Sequence, residues 1–224
     1  MTGNRLLDEL PAPAQRSLAK SLVDLPAGAV VLSPGERIAQ ALFPTSAVCS
    51  VVIELDSGDK AETATVGRDG LVGMPLVLGA TVSDAAAIVQ LAGEAYRVAP
   101  KTLFELCREH EAFRRALFAY GAFRLHLASR TLACNSFHSI VQRMARWLLL
   151  MHDRIGHGEF RLTHEGLAAL LAATRPRVSQ AAARLKADGI VHYTRGVIRI
   201  LDRQRLEATA CECYGQTRRL YPVP

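Results

Sequence analysis

The spacing of apolar residues changes character along the chain. Between Ala29 and Val98, β-rich stretches at Ala29–Leu32, Val48–Leu55, Glu62–Val66, Ala87–Leu91 and Ala95–Val98 alternate with turn sequences. These turns are Ser33-Pro34-Gly35, Asp56-Ser57-Gly58-Asp59, Gly67-Arg68-Asp69-Gly70 and Ala92-Gly93. Short strands at this spacing predict an antiparallel sandwich or barrel. Ahead of them, residues 4–26 read as short helices around the break at Pro11-Ala12-Pro13.

From Pro100 to Cys134 the pattern becomes helical, with Gly121 as its one glycine. Phe113, Ala116, Leu117, Tyr120, Phe123 and Leu127 recur at three- and four-residue intervals, which makes one helix face apolar. Phe113, Tyr120, Leu127 and Cys134 are seven apart, and such a seam suggests pairing with a second copy of the chain. The expected dimer interface is therefore Phe113, Leu117, Tyr120, Phe123, Leu127 and Cys134. The competing reading packs the same stripe on the chain's own β-domain. A second amphipathic helix is expected from about Ile140 to Asp153, with Val141, Met144, Ala145, Leu148 and Leu149 on one face and Gly156-His157-Gly158 ending it.

Residues 162–202, LTHEGLAALLAATRPRVSQAAARLKADGIVHYTRGVIRILD, are the most informative. Thr163 is placed to cap a helix that ends near Leu171, and Ala172-Ala173-Thr174 makes a turn of small residues. Thr174 then caps a second helix running to about Ala187, with Pro176 in its first turn and Gly189 as terminator. Ile190–Tyr193 and Val197–Leu201 form a hairpin around Thr194-Arg195-Gly196. Helix, turn, helix and hairpin together predict a winged helix-turn-helix. Val178, Ala182 and Leu185 are spaced to pack inward, leaving Arg175, Arg177, Gln180 and Arg184 on the surface. In a DNA major groove, arginine pairs with guanine and glutamine with adenine. Thr163, His164 and Thr174 at the helix starts can hold phosphates, and Arg195 at the hairpin tip can reach the flanking backbone or minor groove.

Charge sharpens this picture. The chain has 224 residues and a net charge of +6, but residues 1–138 sum to −1 and residues 139–224 to +7. A small basic region joined to a near-neutral one suggests an anionic polymer as partner, double-stranded DNA on this pattern. Composition is that of an ordered chain, 50% hydrophobic and 21% charged. No apolar run is long enough to span a membrane. Met1–Pro11 carries Asp8 and Glu9 and lacks an apolar leader core, so cytoplasmic localisation is expected. The five cysteines include no CxxC pair, which argues against a disulfide framework.

Cys134 precedes His138 by one helical turn, and Cys211-Glu212-Cys213 is a CxC pair. Thiolates and imidazole can bind zinc tetrahedrally. However, 73 residues separate His138 from Cys211, nothing in the spacing brings them together, and buried free thiols are the simpler reading. His110 and His126, as lone helical histidines, are weaker still as haem ligands. The chain has no GxSxG, HExxH, P-loop or GxGxxG run, and residues 29–98 contain no histidine, which argues against an enzyme. A dimeric ligand-, metal- or redox-sensing protein that acts through protein partners without touching DNA is the alternative.

The LTHEGLA…TRPRVSQAAARLKADGIV…GVIRILD stretch, the preceding QRMARWLLLMHDR helix and the glycine-punctuated β region together resemble the Crp/Fnr family of bacterial transcription regulators. The resemblance covers about residues 28–205 and is most specific in the C-terminal third. It implies an α+β chain with an N-terminal β-jelly-roll, cyclic-nucleotide-binding-like domain, a long dimerisation helix and a C-terminal winged helix-turn-helix. The expected limits are 1–110 for the sensor, 111–136 for the dimerisation helix and 137–224 for the DNA reader. It also implies a homodimer whose paired recognition helices read a palindromic operator about one DNA turn across, and RNA polymerase as a further partner.

Departures from the family pattern matter. Where cyclic-nucleotide sensors carry a Gly-Glu pair for the ribose, this chain has Gly73-Met74, and Ser83 or Asp84 falls where an arginine would meet the phosphate. No lysine or arginine lies between Arg68 and Arg97, so a buried phosphate would have no cation, which argues against cyclic AMP. No cysteine precedes Cys49, which argues against the family's iron–sulfur cluster. In the recognition helix Arg175 matches the family pattern. Pro176 and Gln180 stand where Glu and Arg are frequent, so the operator is expected to differ from the usual one.

Overall fold

The computed structural model describes residues 1–155, 159–194 and 196–221. In chain order its strands are β1 (Leu22–Leu25), β2 (Val30–Leu32), β3 (Ala41–Pro44), β4 (Val48–Glu54), β5 (Lys60–Val66), β6 (Ala86–Leu91), β7 (Gly93–Val98), β8 (Glu159–Arg161), β9 (Val191–Thr194) and β10 (Val197–Ile200). Its helices are α1 (Ala12–Ser17), α2 (Met74–Val77), α3 (Pro100–Glu109), α4 (Glu111–Phe137), α5 (Ile140–Ile155), α6 (His164–Leu170), α7 (Arg175–Ala187), α8 (Arg203–Thr209) and α9 (Cys213–Leu220). The chain divides into two compact units: residues 1–53, 64–126 and 221–224, and residues 54–63 with 127–220. The division falls inside α4 rather than at the helix end expected near 136.

The first unit is built on two antiparallel sheets, ordered β1-β7-β3 and β2-β6-β4-β5. Alternation along the strands sends Leu25, Leu42, Ala47, Cys49, Val66, Ala87, Val89 and Ala95 into one core. This is the antiparallel sandwich that the turn spacing predicted, in keeping with the jelly roll that the resemblance implied. The sequence reading of residues 4–26 as helices is corrected at its end: Leu22–Leu25 is a strand, paired with β7 from Leu22↔Tyr96 to Leu25↔Gly93. Four residues are too few for periodicity to separate strand from helix, and pairing with β7 decides it. β3 was not foreseen because all four of its residues are buried, so it shows no alternation.

The long helical stretch breaks at His110, whose extended backbone (φ −125°, ψ 96°) separates α3 from α4. The seam expected to pair two chains faces inward. Phe113, Leu117, Tyr120, Phe123, Leu127 and Cys134 are each at most 7% exposed within the single chain. Phe113 packs on Phe43 with ring centroids 6.2 Å apart. Tyr120 fills the space beside Gly70, where an added Cβ would collide with its hydroxyl and ring. The outward face of α4 instead carries Phe118, Leu125 and Leu132, 53%, 67% and 71% exposed and again seven apart.

In the second unit α5 supplies the core with Met144, Ala145, Leu148, Leu149 and Met151. It runs two residues past the expected Asp153, and Gly156-His157-Gly158 lies outside the described residues. Trp147 Nε1 donates to Glu62 Oε2 at 2.7 Å, which ties the 54–63 segment to this unit. β9 and β10 form the expected hairpin, and β8, which was not expected, completes a sheet ordered β8-β10-β9. Arg199 clamps it by donating from Nε and Nη2 to Glu159 Oε2 at 2.8 and 2.6 Å. Among the described residues no helix is long and apolar enough to cross a membrane.

Candidate nucleic-acid interface

The interface is assembled from the start of α6, the turn, the first two turns of α7 and the hairpin. Thr163 takes extended geometry, and its Oγ1 accepts the Gly166 N–H at 3.0 Å, as expected of a cap. That bond uses the oxygen as acceptor and leaves the hydroxyl proton free to be donated elsewhere. Thr174 occupies the N-cap position of α7, but its side chain makes no capping bond, so the expected cap is backbone only. Pro176 sits in the first turn, where its missing N–H is tolerated. Between the helices Ala172 has φ +45°, a conformation that Ala173 secures by donating its N–H to Ala168 O at 3.0 Å.

On α7, Val178, Ala181, Ala182 and Leu185 are buried, which fixes the helix's rotation. Arg175, Arg177, Gln180 and Arg184 consequently face solvent. Arg184 is turned towards the helix end, 3.4 Å from Asp188 Oδ2. Gly189 (φ +68°) terminates the helix as predicted. His164 is locked by two neighbours: its Nδ1 lies 2.9 Å from Ser179 Oγ, and its ring meets Tyr193 edge-on at 4.5 Å. Tyr193 Oη donates to Leu162 O at 2.6 Å, and burial pushes its pKa up to about 12, so the phenol stays neutral and keeps donating. Thr163, His164, Glu165, Arg175, Tyr193, Thr194 and Gly196 line a cleft of about 410 Å³. Three of the expected phosphate and base contacts, Thr163, His164 and Arg175, therefore share one concave surface. Tyr193 and Glu165 were missed. An aromatic residue in a wing strand was the available signal for Tyr193. Arg195 lies outside the described residues.

Two arginines of α5 are buried rather than offered to DNA. Arg143 and Arg146 are 7% and 8% exposed. Arg143 Nη2 donates to Leu171 O at the C-terminal end of α6, where a cation complements the helix dipole, and desolvation lowers its pKa.

The residues expected at the effector position, Gly73, Met74, Ser83 and Asp84, all lie in the first unit. Gly73 (φ +96°) opens the short α2, and Met74 is 5% exposed, with its Cε 2.9 Å from where a Cβ on Gly121 would stand. Ser83 is buried in a local turn, with Oγ donating to Ala85 O at 3.0 Å, while Asp84 is exposed.

The four metal-donor residues do meet. The donor atoms of Cys134, His138, Cys211 and Cys213 all lie within 4.8 Å of one another. The hydrogen bond with Cys211 lowers the Cys134 thiol, with Arg146 acting in the same sense, and the same bond raises Cys211.

Residues 142–209 match the Crp-like helix-turn-helix domain. No curated protein sequence matches the chain. Among solved structures, FixK2 from Bradyrhizobium japonicum is similar at TM-score 0.73 and 18% identity, over 85% of this chain and 96% of that one. A Crp/Fnr-family transcriptional regulator from Eubacterium rectale is similar at TM-score 0.70 and 16% identity, over 93% and 99% of the two chains. The c-di-GMP responsive global regulator CLP of Xanthomonas campestris is similar at TM-score 0.69 and 19% identity, over 85% and 99%. Residues 142–209 are thus a Crp-like helix-turn-helix domain, and the chain as a whole has the fold of these solved structures.

Proposed function

We propose that the protein acts as a homodimer that reads a palindromic operator with α7, without control by cyclic AMP. The observation that carries this reading is the cleft at the start of α7, where Arg175 stands beside Thr163 and His164 with Arg177 and Gln180 exposed on the same helix. Arg175 is the candidate for a bidentate guanine contact and Gln180 for an adenine contact. Thr163 donates from its hydroxyl to a phosphate. His164 does so from Nε2 when Ser179 occupies Nδ1. Arg177, Arg184 and Thr174 serve the flanking backbone, and Arg195 extends the contact from the wing.

Dimerisation in this reading uses the outward face of α4. Phe118, Leu125 and Leu132 alternate there with the exposed small residues Ala122, Ser129 and Ser136, giving the three-four spacing of a two-helix seam. The sandwich, residues 1–110 with Gly73, Met74, Ser83 and Asp84 at the pocket position, serves as the sensor. A buried Met74, an exposed Asp84 carboxylate and no cation between Arg68 and Arg97 all disfavour an anionic cyclic nucleotide. The dimer acts in the cytoplasm, helping or hindering RNA polymerase at the promoters it occupies.

The test is anisotropy of labelled duplex DNA titrated with protein across salt concentrations. A regulator that neutralises several phosphates loses about 10³–10⁵ in affinity between about 50 and 200 mM salt. Salt-independent binding, or none at low salt, contradicts the reading.

A further inference from the structure

We infer that Cys134, His138, Cys211 and Cys213 form a closed binding site for one Zn²⁺ ion. Cys134 Sγ lies 3.5 Å from Cys211 Sγ, and Cys213 Sγ lies 3.8 Å from His138 Nδ1. A tetrahedral zinc with Zn–S of about 2.3 Å and Zn–N of about 2.0–2.1 Å has ligand–ligand edges of about 3.5–3.8 Å. Two of the six donor–donor separations therefore already match the edges that this ion requires, and all six lie within 4.8 Å. All three cysteines are at most 4% exposed, and the His138 side chain is 19% exposed.

The surroundings match the donors. His138 turns Nδ1 towards the thiols and places Nε2 3.2 Å from Glu212 Oε2. That carboxylate fixes the ring and its tautomer, the arrangement that orients metal-bound histidines. Three thiolates and a divalent ion sum to one negative charge. The buried Arg146 guanidinium, which acts electrostatically on both Cys134 and Cys213, offsets it. Thiolate-rich donor sets favour zinc over hard cations, and four protein ligands leave no open position for a reacting water. A disulfide between Cys134 and Cys211 would account for one contact and leave Cys213, His138 and Glu212 without a common role.

The ligands come from three segments: the last turn of α4, the break before α5, and the connection from α8 into α9. One ion thus pins the C-terminal helices to the joint between α4 and α5. Binding deprotonates three thiols, forms three Zn–S bonds and one Zn–N bond, and releases three protons to solvent.

The test uses the full-length chain expressed with zinc and purified under reducing conditions. The expected result is one zinc per chain that survives dialysis, lost in Cys211→Ser and retained in Cys107→Ser. Exchange for Co²⁺ is expected to give the visible ligand-field and thiolate charge-transfer bands of a tetrahedral site. Glu212→Gln keeps all four ligands, so it remains informative if the cysteine variants do not fold. Its zinc affinity, measured by chelator competition, is expected to fall about 10–100-fold. Reduced, folded protein that takes up neither zinc nor cobalt overturns the inference. So does a Cys134–Cys211 disulfide found in protein from cells alkylated before lysis.

Discussion

Leu132 is the sharpest probe of how two chains would pair. It is 71% exposed on the outward seam of α4, so a helix–helix dimer would cover most of what the single chain leaves open. Leu132→Ala removes three carbons worth about 0.8 kcal/mol each when fully buried, hence about 1.7 kcal/mol for the fraction available. A two-fold interface uses the same residue twice, so the dimer loses about 3.4 kcal/mol, roughly a 300-fold rise in its dissociation constant. Sedimentation equilibrium across protein concentration reads this directly. Leu117→Ala is the control: Leu117 is fully buried in its own chain, so truncation costs about 2–5 kcal/mol of folding stability and leaves the dimer constant unchanged. A Leu132→Ala protein that dimerises as tightly as the parent refutes the outward seam. A Leu117→Ala protein that folds normally but dissociates would restore the inward one.

Arg175→Ala is expected to cost about 1–3 kcal/mol in operator binding and to relax specificity at one base position, read by competition with single-base operator variants. Equal affinity for specific and scrambled duplexes before and after the change removes Arg175 from base readout. Millimolar cyclic AMP is expected to leave the melting temperature unchanged, and a rise of several degrees would contradict the reading of Met74 and the missing cation. Ala172→Gly relieves a left-handed conformation that costs a non-glycine residue about 1–2 kcal/mol, so thermal unfolding should move up. A lower midpoint would mean that the turn gains more from the methyl group than the backbone loses. Gly70→Ala drives a Cβ into the Tyr120 ring and is expected to destabilise by about 1–3 kcal/mol in urea unfolding.

The helix-turn-helix elements were legible because local chemistry determines them. Thr163 caps, Pro176 and Gly189 bracket α7, and the spacing of Val178, Ala182 and Leu185 sets which side chains are left outside. Tertiary choices were not legible. α4 carries two heptad stripes, one through Phe113 and one through Phe118, about 140° apart at 100° per residue. Periodicity cannot say which meets the β-domain. Phe43 and Gly70, distant in sequence, decide it by receiving Phe113 and Tyr120. The same holds for the thiols: Cys134 and Cys211 meet only because α8 and α9 fold back on the end of α4, which no spacing encodes. β1 and β3 went unseen because sheet pairing, not alternation, defines them.

Selection of bound fragments from a random duplex library tests palindromic reading by a dimer. Paired α7 helices are expected to enrich an inverted repeat whose half-site centres lie about 10 base pairs apart, with a conserved guanine in each half that Arg175→Ala no longer requires. Fragments that show no shared sequence, or a single unrepeated half-site, would contradict it.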